Sequence, residues 1–247
     1  MLSILTIICL FSIVAFPTLM LTICYPFSHR AALFWSNYIT DTCARQVFAV
    51  LGFYMGFNLD ADKKSRADMP GQFLILSNHQ SLMDIVVYLV YFGDKKVRFV
   101  AKDSLSKVPM VGKMLKSQGH CMIPRKGSPM QAMETLRNFG RRVNADPQIL
   151  PLIFPEGTRS KDGKLGKFYA AGFRMVENTV KLPVAVCALD GGWKLSHILR
   201  ILRNLSKGAY RVKVLKVYDS PKGKEEEKRI LEEASVLIDA QLKDWRS

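Results

Sequence analysis

From Met1 to Ser28 the chain reads "MLSILTIICLFSIVAFPTLMLTICYPFS", with no Lys, Arg, Asp or Glu. A helix that crosses the ~30 Å hydrocarbon core of a bilayer needs about 20 predominantly apolar residues. The run therefore predicts a membrane-attachment helix, with a buried core helix as the blander use of the same residues. A secretory signal would open with a basic region and close at a small-residue cleavage site, and the run has neither. Pro17 brings no N–H to a helix interior, so a bent or shallow re-entrant insertion competes with a straight span. The first basic residues, Arg30 and Arg45, follow the run, which by the positive-inside tendency places the rest of the chain on the cytoplasmic side. Residues 31 to 57 are apolar and aromatic but include Asp41 and Arg45, the mixture expected of an interfacial helix or of the second arm of a helical hairpin. The polar stretch "NLDADKKSRADMPG" at 58 to 71 ends in Pro70 and Gly71 and reads as a linker. The expected organisation is a hydrophobic helical attachment segment at 1–57, a linker at 58–71 and one sizeable domain at 72–247.

Beyond Gly71, β-rich runs alternate with helix-length segments. Strands are expected at 72 to 76, 97 to 101, 121 to 123, 149 to 154, 183 to 189 and 210 to 218. Helices are expected at 81 to 92, 104 to 116, 128 to 143, 169 to 180, 193 to 205 and 222 to 244, the third with Met130, Met133, Leu136 and Phe139 at helical spacing. The alternation predicts an α/β fold, a mixed but largely parallel sheet flanked by helices.

Two loops carry side chains suited to chemistry. In "NHQSLMD" (78 to 84), His79 follows a predicted strand and Asp84 falls in the first turn of the next helix, at the strand end where open α/β sheets gather ligands. Ser81 and Asp84 also form a capping-box-like pair, so the acid has a purely structural use as well. As chemistry, a neutral histidine accepts a hydroxyl proton near pH 7, and a carboxylate on its other ring nitrogen fixes the tautomer and stabilises the imidazolium. No serine or cysteine stands out as a nucleophile, so the attacking hydroxyl is expected to come from the substrate. The second loop is "FPEGTRS" (154 to 160): Gly157 permits a tight turn, Thr158 and Ser160 supply hydroxyls, Arg159 offers a planar fork to phosphate oxygens, and Glu156 can bind a substrate hydroxyl or orient Arg159. A polar surface loop with an ordinary ion pair is the structural alternative.

The formal charge is +15, and residues 93 to 142 hold twelve Lys or Arg against three Asp or Glu. Such a surface favours anionic partners, lipid headgroups and phosphorylated metabolites among them. Lys102 and Arg125 stand at predicted strand ends within it, and with Arg159 they are the cations expected to converge on one phosphate. The five cysteines, Cys9, Cys24, Cys43, Cys121 and Cys187, form no CxxC pair, which argues against a zinc site or a disulfide framework. A non-catalytic binder of anionic lipid or nucleic acid would account for the charge, but it gives no reason for His79 and Asp84 beside "EGTRS".

These segments resemble the PlsC-type glycerolipid acyltransferases. "NHQSLMD" is similar to that family's first motif, "FVAKDSLSKVPMVGKMLKSQGHCMIPR" (99 to 125) to its second, "FPEGTRS" to its third and "LPVAVCAL" (182 to 189) to its fourth. The resemblance implies that His79 is the general base and Asp84 its partner. It implies phosphate contacts from Lys102, Arg125 and Arg159, and an acceptor site shaped by Glu156 and Gly157, with Asn78, Thr158 and Ser160 completing the substrate-binding set. It further implies acyl transfer from acyl-CoA or acyl carrier protein, as co-substrate rather than cofactor, to the free hydroxyl of a lysophospholipid, lysophosphatidic acid above all. Neither a metal nor a nucleic-acid partner is expected, and membrane lipids are.

Overall fold

The computed structural model describes residues 2–124, 128–195 and 209–247. Helix α1 (Leu2–Cys24) has 23 residues, about 35 Å at 1.5 Å per residue, long and apolar enough to cross a membrane. Pro17 does not interrupt it. The proline has no N–H for the carbonyl of Ile13, and the Cys43 thiol takes that place by donating to the same oxygen at 3.4 Å. The second arm is α2 (His29–Tyr38), a π-helical turn (Ile39–Cys43) and α3 (Ala44–Met55). Ser28 caps α2 by accepting from the Ala31 N–H at 3.2 Å, and Trp35 packs edge-on against Phe16. The hairpin reading of 31 to 57 matches this arrangement. Phe11, Phe27 and Phe53 remain 75%, 85% and 83% exposed, so the hairpin turns large apolar side chains outward as well as inward.

Seven strands form one sheet in the order β1-β7-β6-β2-β5-β3-β4. They are β1 (Asn58–Ala61), β2 (Leu74–Ser77), β3 (Lys96–Lys102), β4 (Cys121–Ile123), β5 (Ile149–Ile153), β6 (Val184–Asp190) and β7 (Ala209–Tyr218). All neighbours are parallel except β6 and β7. The expected mixed, mainly parallel sheet is therefore present, with one addition: residues 58 to 61, read from composition as linker, pair with β7 as an edge strand. Asp60 and the charged residues around it made this segment look like a connector, yet an edge strand has one solvated side and tolerates them.

Helices cover both faces, which is why the central strands are continuous apolar runs. Ile75 of β2 points into a core shared with α3, α4 (Met83–Tyr91) and α5 (Pro109–Ser117). Leu74 and Leu76 point into the opposite core beneath α6 (Pro129–Ala145), α7 (Ala170–Val180) and α8 (Lys224–Asp244). The helix expected at 193 to 205 shows only a 3-10 turn at Gly192–Leu195, the remainder lying outside the described residues. Strands β2 and β5 run side by side in the same direction, with Leu76 opposite Ile153, so the loops that follow them emerge together at one edge of the sheet.

Candidate active site

The loop after β2 is pinned before it does anything else. Asn78 donates its side-chain amide to the Leu189 carbonyl at 2.8 Å and accepts from the Leu189 N–H at 2.9 Å. Both ends of that amide are satisfied in the interior, so Asn78 joins the loop to β6. His79 follows on the cleft side. Its Nδ1 lies 2.7 Å from Asp84 Oδ2. Asp84, fully buried at the start of α4, also accepts at Oδ2 from the main-chain N–H groups of Gln80 (2.6 Å) and Ser81 (2.9 Å) and at Oδ1 from the Tyr210 hydroxyl. All four partners donate, so the carboxylate is set up as an acceptor and His79 holds its proton on Nδ1, leaving Nε2 as the basic nitrogen. The capping and catalytic readings of Asp84 are thus compatible: one carboxylate holds the start of α4 and orients the ring.

Tyr210 comes from β7, two strands away from β2. Burial first, and the neighbouring Asp84 charge second, push its phenol well above the usual range, so it remains a donor. Gly192 leaves room for that bond, since a Cβ there would lie 2.7 Å from Asp84 Oδ1 and run into the Tyr210 hydroxyl. The His79 ring lies flat on Phe154, with centroids 4.0 Å apart and planes at 9°. Asp84 fixes one edge of the imidazole and Phe154 fixes its face, which leaves the ring little rotational freedom.

The second loop is laced to the first through the backbone. Glu156 Oε1 accepts from the His79 N–H at 2.7 Å, and the His79 carbonyl accepts from the Ser160 N–H at 2.8 Å. Glu156 Oε2 accepts from the Gly166 N–H at 2.8 Å. Burial pushes the Glu156 carboxyl above its usual range even though both backbone bonds favour the anion. Glu156 therefore organises the two loops from inside. The Ser160 hydroxyl is also turned to its own loop, where it donates to Asp162 at 3.2 Å.

Gly157, at φ +63°, Thr158 and Arg159 line a cleft of about 460 Å³ whose walls also include His79, Leu82, Ile85, Phe99, Leu105, Ile123 and Phe154. The lining is largely apolar, enough for a hydrocarbon chain; Arg159, also on the lining, is exposed and forms no ion pair with any described residue. Lys102 ends β3 opposite Ile123 of β4, which places its backbone at the same edge, while its side chain and all of Arg125 lie outside the described residues. The basic surplus is otherwise dispersed. Arg98 is buried, its guanidinium pushed down to about 10 by desolvation, and Arg137 and Arg141 border a separate cleft of about 630 Å³ between α6, α7 and α8. That cleft is the larger but contains neither His79 nor Asp84, so size does not locate the chemistry. Among the described residues no group of three His, Cys, Asp or Glu side chains is placed to hold a metal ion.

Sequence reasoning missed Tyr210, Phe154, Gly192 and Gln80 as parts of this site. Gln80 had a signal, its place between His79 and Asp84. Tyr210 had none, because an aromatic residue opening a β-strand is ordinary.

Comparison with known proteins adds the following. A family profile described as Acyltransferase matches residues 60–190. The chain is 31% identical over 120 residues to "1-acyl-sn-glycerol-3-phosphate acyltransferase BAT2, chloroplastic" of Brassica napus, covering 49% of this chain and 33% of that protein. It is 28% identical over 125 residues to the 1-acyl-sn-glycerol-3-phosphate acyltransferase of Helicobacter pylori, covering 51% of each. The matched part thus spans between a third and a half of these relatives' lengths. The crystal structure of the 1-acyl-sn-glycerophosphate acyltransferase PlsC from Thermotoga maritima has the same fold, with a TM-score of 0.63 at 17% identity over 100% of this chain and 98% of that one.

Proposed function

This chain belongs to the acyltransferase family, and on that premise we propose that it moves a fatty acyl group from an acyl thioester to the free sn-2 hydroxyl of 1-acylglycerol 3-phosphate, forming phosphatidic acid. The observation that carries the reading is the His79–Asp84 pair opening onto an apolar cleft with Arg159 at its rim. The acceptor hydroxyl gives its proton to His79 Nε2 as its oxygen attacks the thioester carbonyl. Asp84 stabilises the imidazolium. The tetrahedral intermediate collapses with cleavage of the C–S bond, and the departing sulfur takes the proton back from His79, so the products are an ester and a free thiol. No acyl-enzyme is formed.

Arg159, joined by Lys102 at the end of β3 and Arg125 after β4, meets the acceptor phosphate, and the apolar lining that includes Leu82 and Ile123 receives an acyl chain. The exposed apolar side chains of α1 to α3 hold the protein on a membrane where both lipid substrates reside, with the sheet domain on the cytoplasmic face. The thioester is supplied by acyl-CoA or by acyl carrier protein, which share the reacting group.

The test is thiol release by the purified chain in lipid vesicles, crossing both donors with 1-acylglycerol 3-phosphate, glycerol 3-phosphate and a lysolipid lacking a terminal phosphate. Release is expected only with an acceptor and fastest with 1-acylglycerol 3-phosphate; release independent of acceptor refutes the reading. Arg159→Ala should raise the acceptor KM about tenfold to a hundredfold, the equivalent of one charged hydrogen bond, with a smaller effect on kcat.

A further inference from the structure

Arg246 follows α8, remote in sequence from both motif loops, yet its guanidinium lies behind them. Nε and Nη2 donate to the two carboxylate oxygens of Asp190 at 3.0 and 2.5 Å, and Nη2 also donates to the Gly163 carbonyl at 2.9 Å. A planar fork on a carboxylate fixes direction as well as distance, which an ammonium does not. Asp190 passes the constraint inward: its Oδ1 accepts from Gln80 Nε2 at 3.1 Å, and Gln80 Oε1 accepts from the Trp193 N–H at 3.3 Å. The main-chain N–H of the same Gln80 donates to Asp84 Oδ2 at 2.6 Å. Gly163 belongs to the loop that carries Arg159; it has φ +83°, and a Cβ there would stand 2.8 Å from the Trp193 indole. One side chain thus fastens both motif loops from outside the cleft. Burial on its own raises the Asp190 carboxyl, but hydrogen bonds from Arg246 and Gln80 outweigh it and hold the group below its usual range, so the link is ionic at neutral pH.

We propose that Arg246 is a positioning residue for acyl transfer, holding through Asp190 and Gln80 the loop that sets Asp84 against His79. The inference rests on the assignment of His79 and Asp84 as base and partner. Arg246 is not among the residues lining the cleft, so its effect through Asp190 and Gln80 belongs in kcat, while any change in acceptor KM comes from its separate bond to Gly163 in the loop that carries Arg159.

The test is a double-mutant cycle on the full chain in vesicles. Gln80→Met removes the amide link and should lower kcat about tenfold with the acceptor KM unchanged, since small misplacements of a catalytic group are costly. Arg246→Ala should lower kcat at least as much, and the double variant should be no slower than Arg246→Ala. The Arg246 side chain is 33% exposed, so millimolar methylguanidinium can enter the gap and should restore part of the lost rate, while Arg246→Lys should fall between Ala and wild type. Losses that multiply in the double variant, or an Arg246→Ala kcat within about twofold of wild type, overturn the proposal. Should Arg246→Ala not fold, Asp190→Asn replaces it in the same cycle with the same criteria. A wild-type chain inactive on every acceptor defeats the functional reading and this inference with it, whereas an active wild type with multiplying losses defeats the positioning role alone.

Discussion

His79 and His120 stand on either side of the same cleft wall and share a local design, yet they are prepared for opposite tasks. Each ring lies flat on a phenylalanine, His79 on Phe154 at 4.0 Å and His120 on Phe99 at 4.9 Å. Each uses Nδ1 at hydrogen-bond distance. The partner differs: Asp84 can only accept, so His79 carries its proton on Nδ1, whereas the Phe99 N–H donates to His120 Nδ1 at 2.8 Å, so His120 carries its proton on Nε2 and gives it to Gln118 Oε1 at 3.0 Å. Gln118 in turn donates to Asn37 and Thr40 of the amino-terminal hairpin. His120 is sealed in, and burial, with Arg98 and Arg142 adding to it, pushes its imidazole well below the usual range, so it is a neutral structural bond between hairpin and sheet. His79 opens onto the cleft. In the proposed reaction a carboxylate on one side and space on the other suit His79 to act as a base, whereas a backbone donor and no space make His120 a strut.

Substitutions that exchange or remove these partners test that contrast. The largest effect is expected from His79→Ala, which should slow acyl transfer about 10⁴-fold while leaving the thermal transition and membrane association in place. An active His79→Ala enzyme would remove the distinction between the two rings. Asp84→Asn should cost about 10³-fold in kcat, because the amide puts an N–H in place of one of the two carboxylate oxygens, facing either the ring and its backbone neighbours or the Tyr210 hydroxyl. Its Tm should fall too, as a donor is left facing donors in the interior. Tyr210→Phe removes one charge-assisted bond from the same carboxylate and should cost about 1.5–3 kcal/mol in unfolding free energy, read from urea titration, with a rate loss smaller than that of Asp84→Asn.

The smallest effect on rate is expected at His120. In the unfolded chain this imidazole titrates near pH 6.5, while in the fold it stays neutral well below that. The unfolded state therefore binds more protons, and stability falls as pH drops below about 6.5 toward the folded-state value. His120→Gln keeps an acceptor for the Phe99 N–H without titrating, so its Tm should depend less on pH between about 7 and 5 than that of wild type. Equal slopes for the two proteins would contradict the assignment of His120 as a buried neutral strut.

The sequence could separate His79 from His120 only in part. The spacing of His79 and Asp84 after an apolar strand was readable because both lie on one loop and one helical turn. His120 lies between a helix and a strand with no acid nearby in sequence, and its role depends on Asn37, Thr40 and Phe99, which only the fold brings together. The same limit hid Tyr210, whose hydroxyl reaches Asp84 because β7 lies next to β6 in the sheet. For Asn78 the motif suggests a ligand contact, and the pairing of β2 with β6 adds a structural use that the sequence did not show, an amide bonded to Leu189. The sheet itself was legible from apolar runs, except for β1, whose charged edge position resembles a linker. Pro17 was expected to disturb α1, and a thiol 26 residues farther along the chain supplies the missing donor.

The most direct measurement is rapid-mixing thiol release at a donor concentration above that of the protein, with and without 1-acylglycerol 3-phosphate, for wild type and His79→Gln. If His79 deprotonates the acceptor for direct transfer, wild type shows no burst until acceptor is present, and His79→Gln releases no thiol in either mixture on the same timescale. One equivalent of thiol released without acceptor would reveal a nucleophile on the protein, and near-wild-type release by His79→Gln would place the base elsewhere; either result contradicts the account.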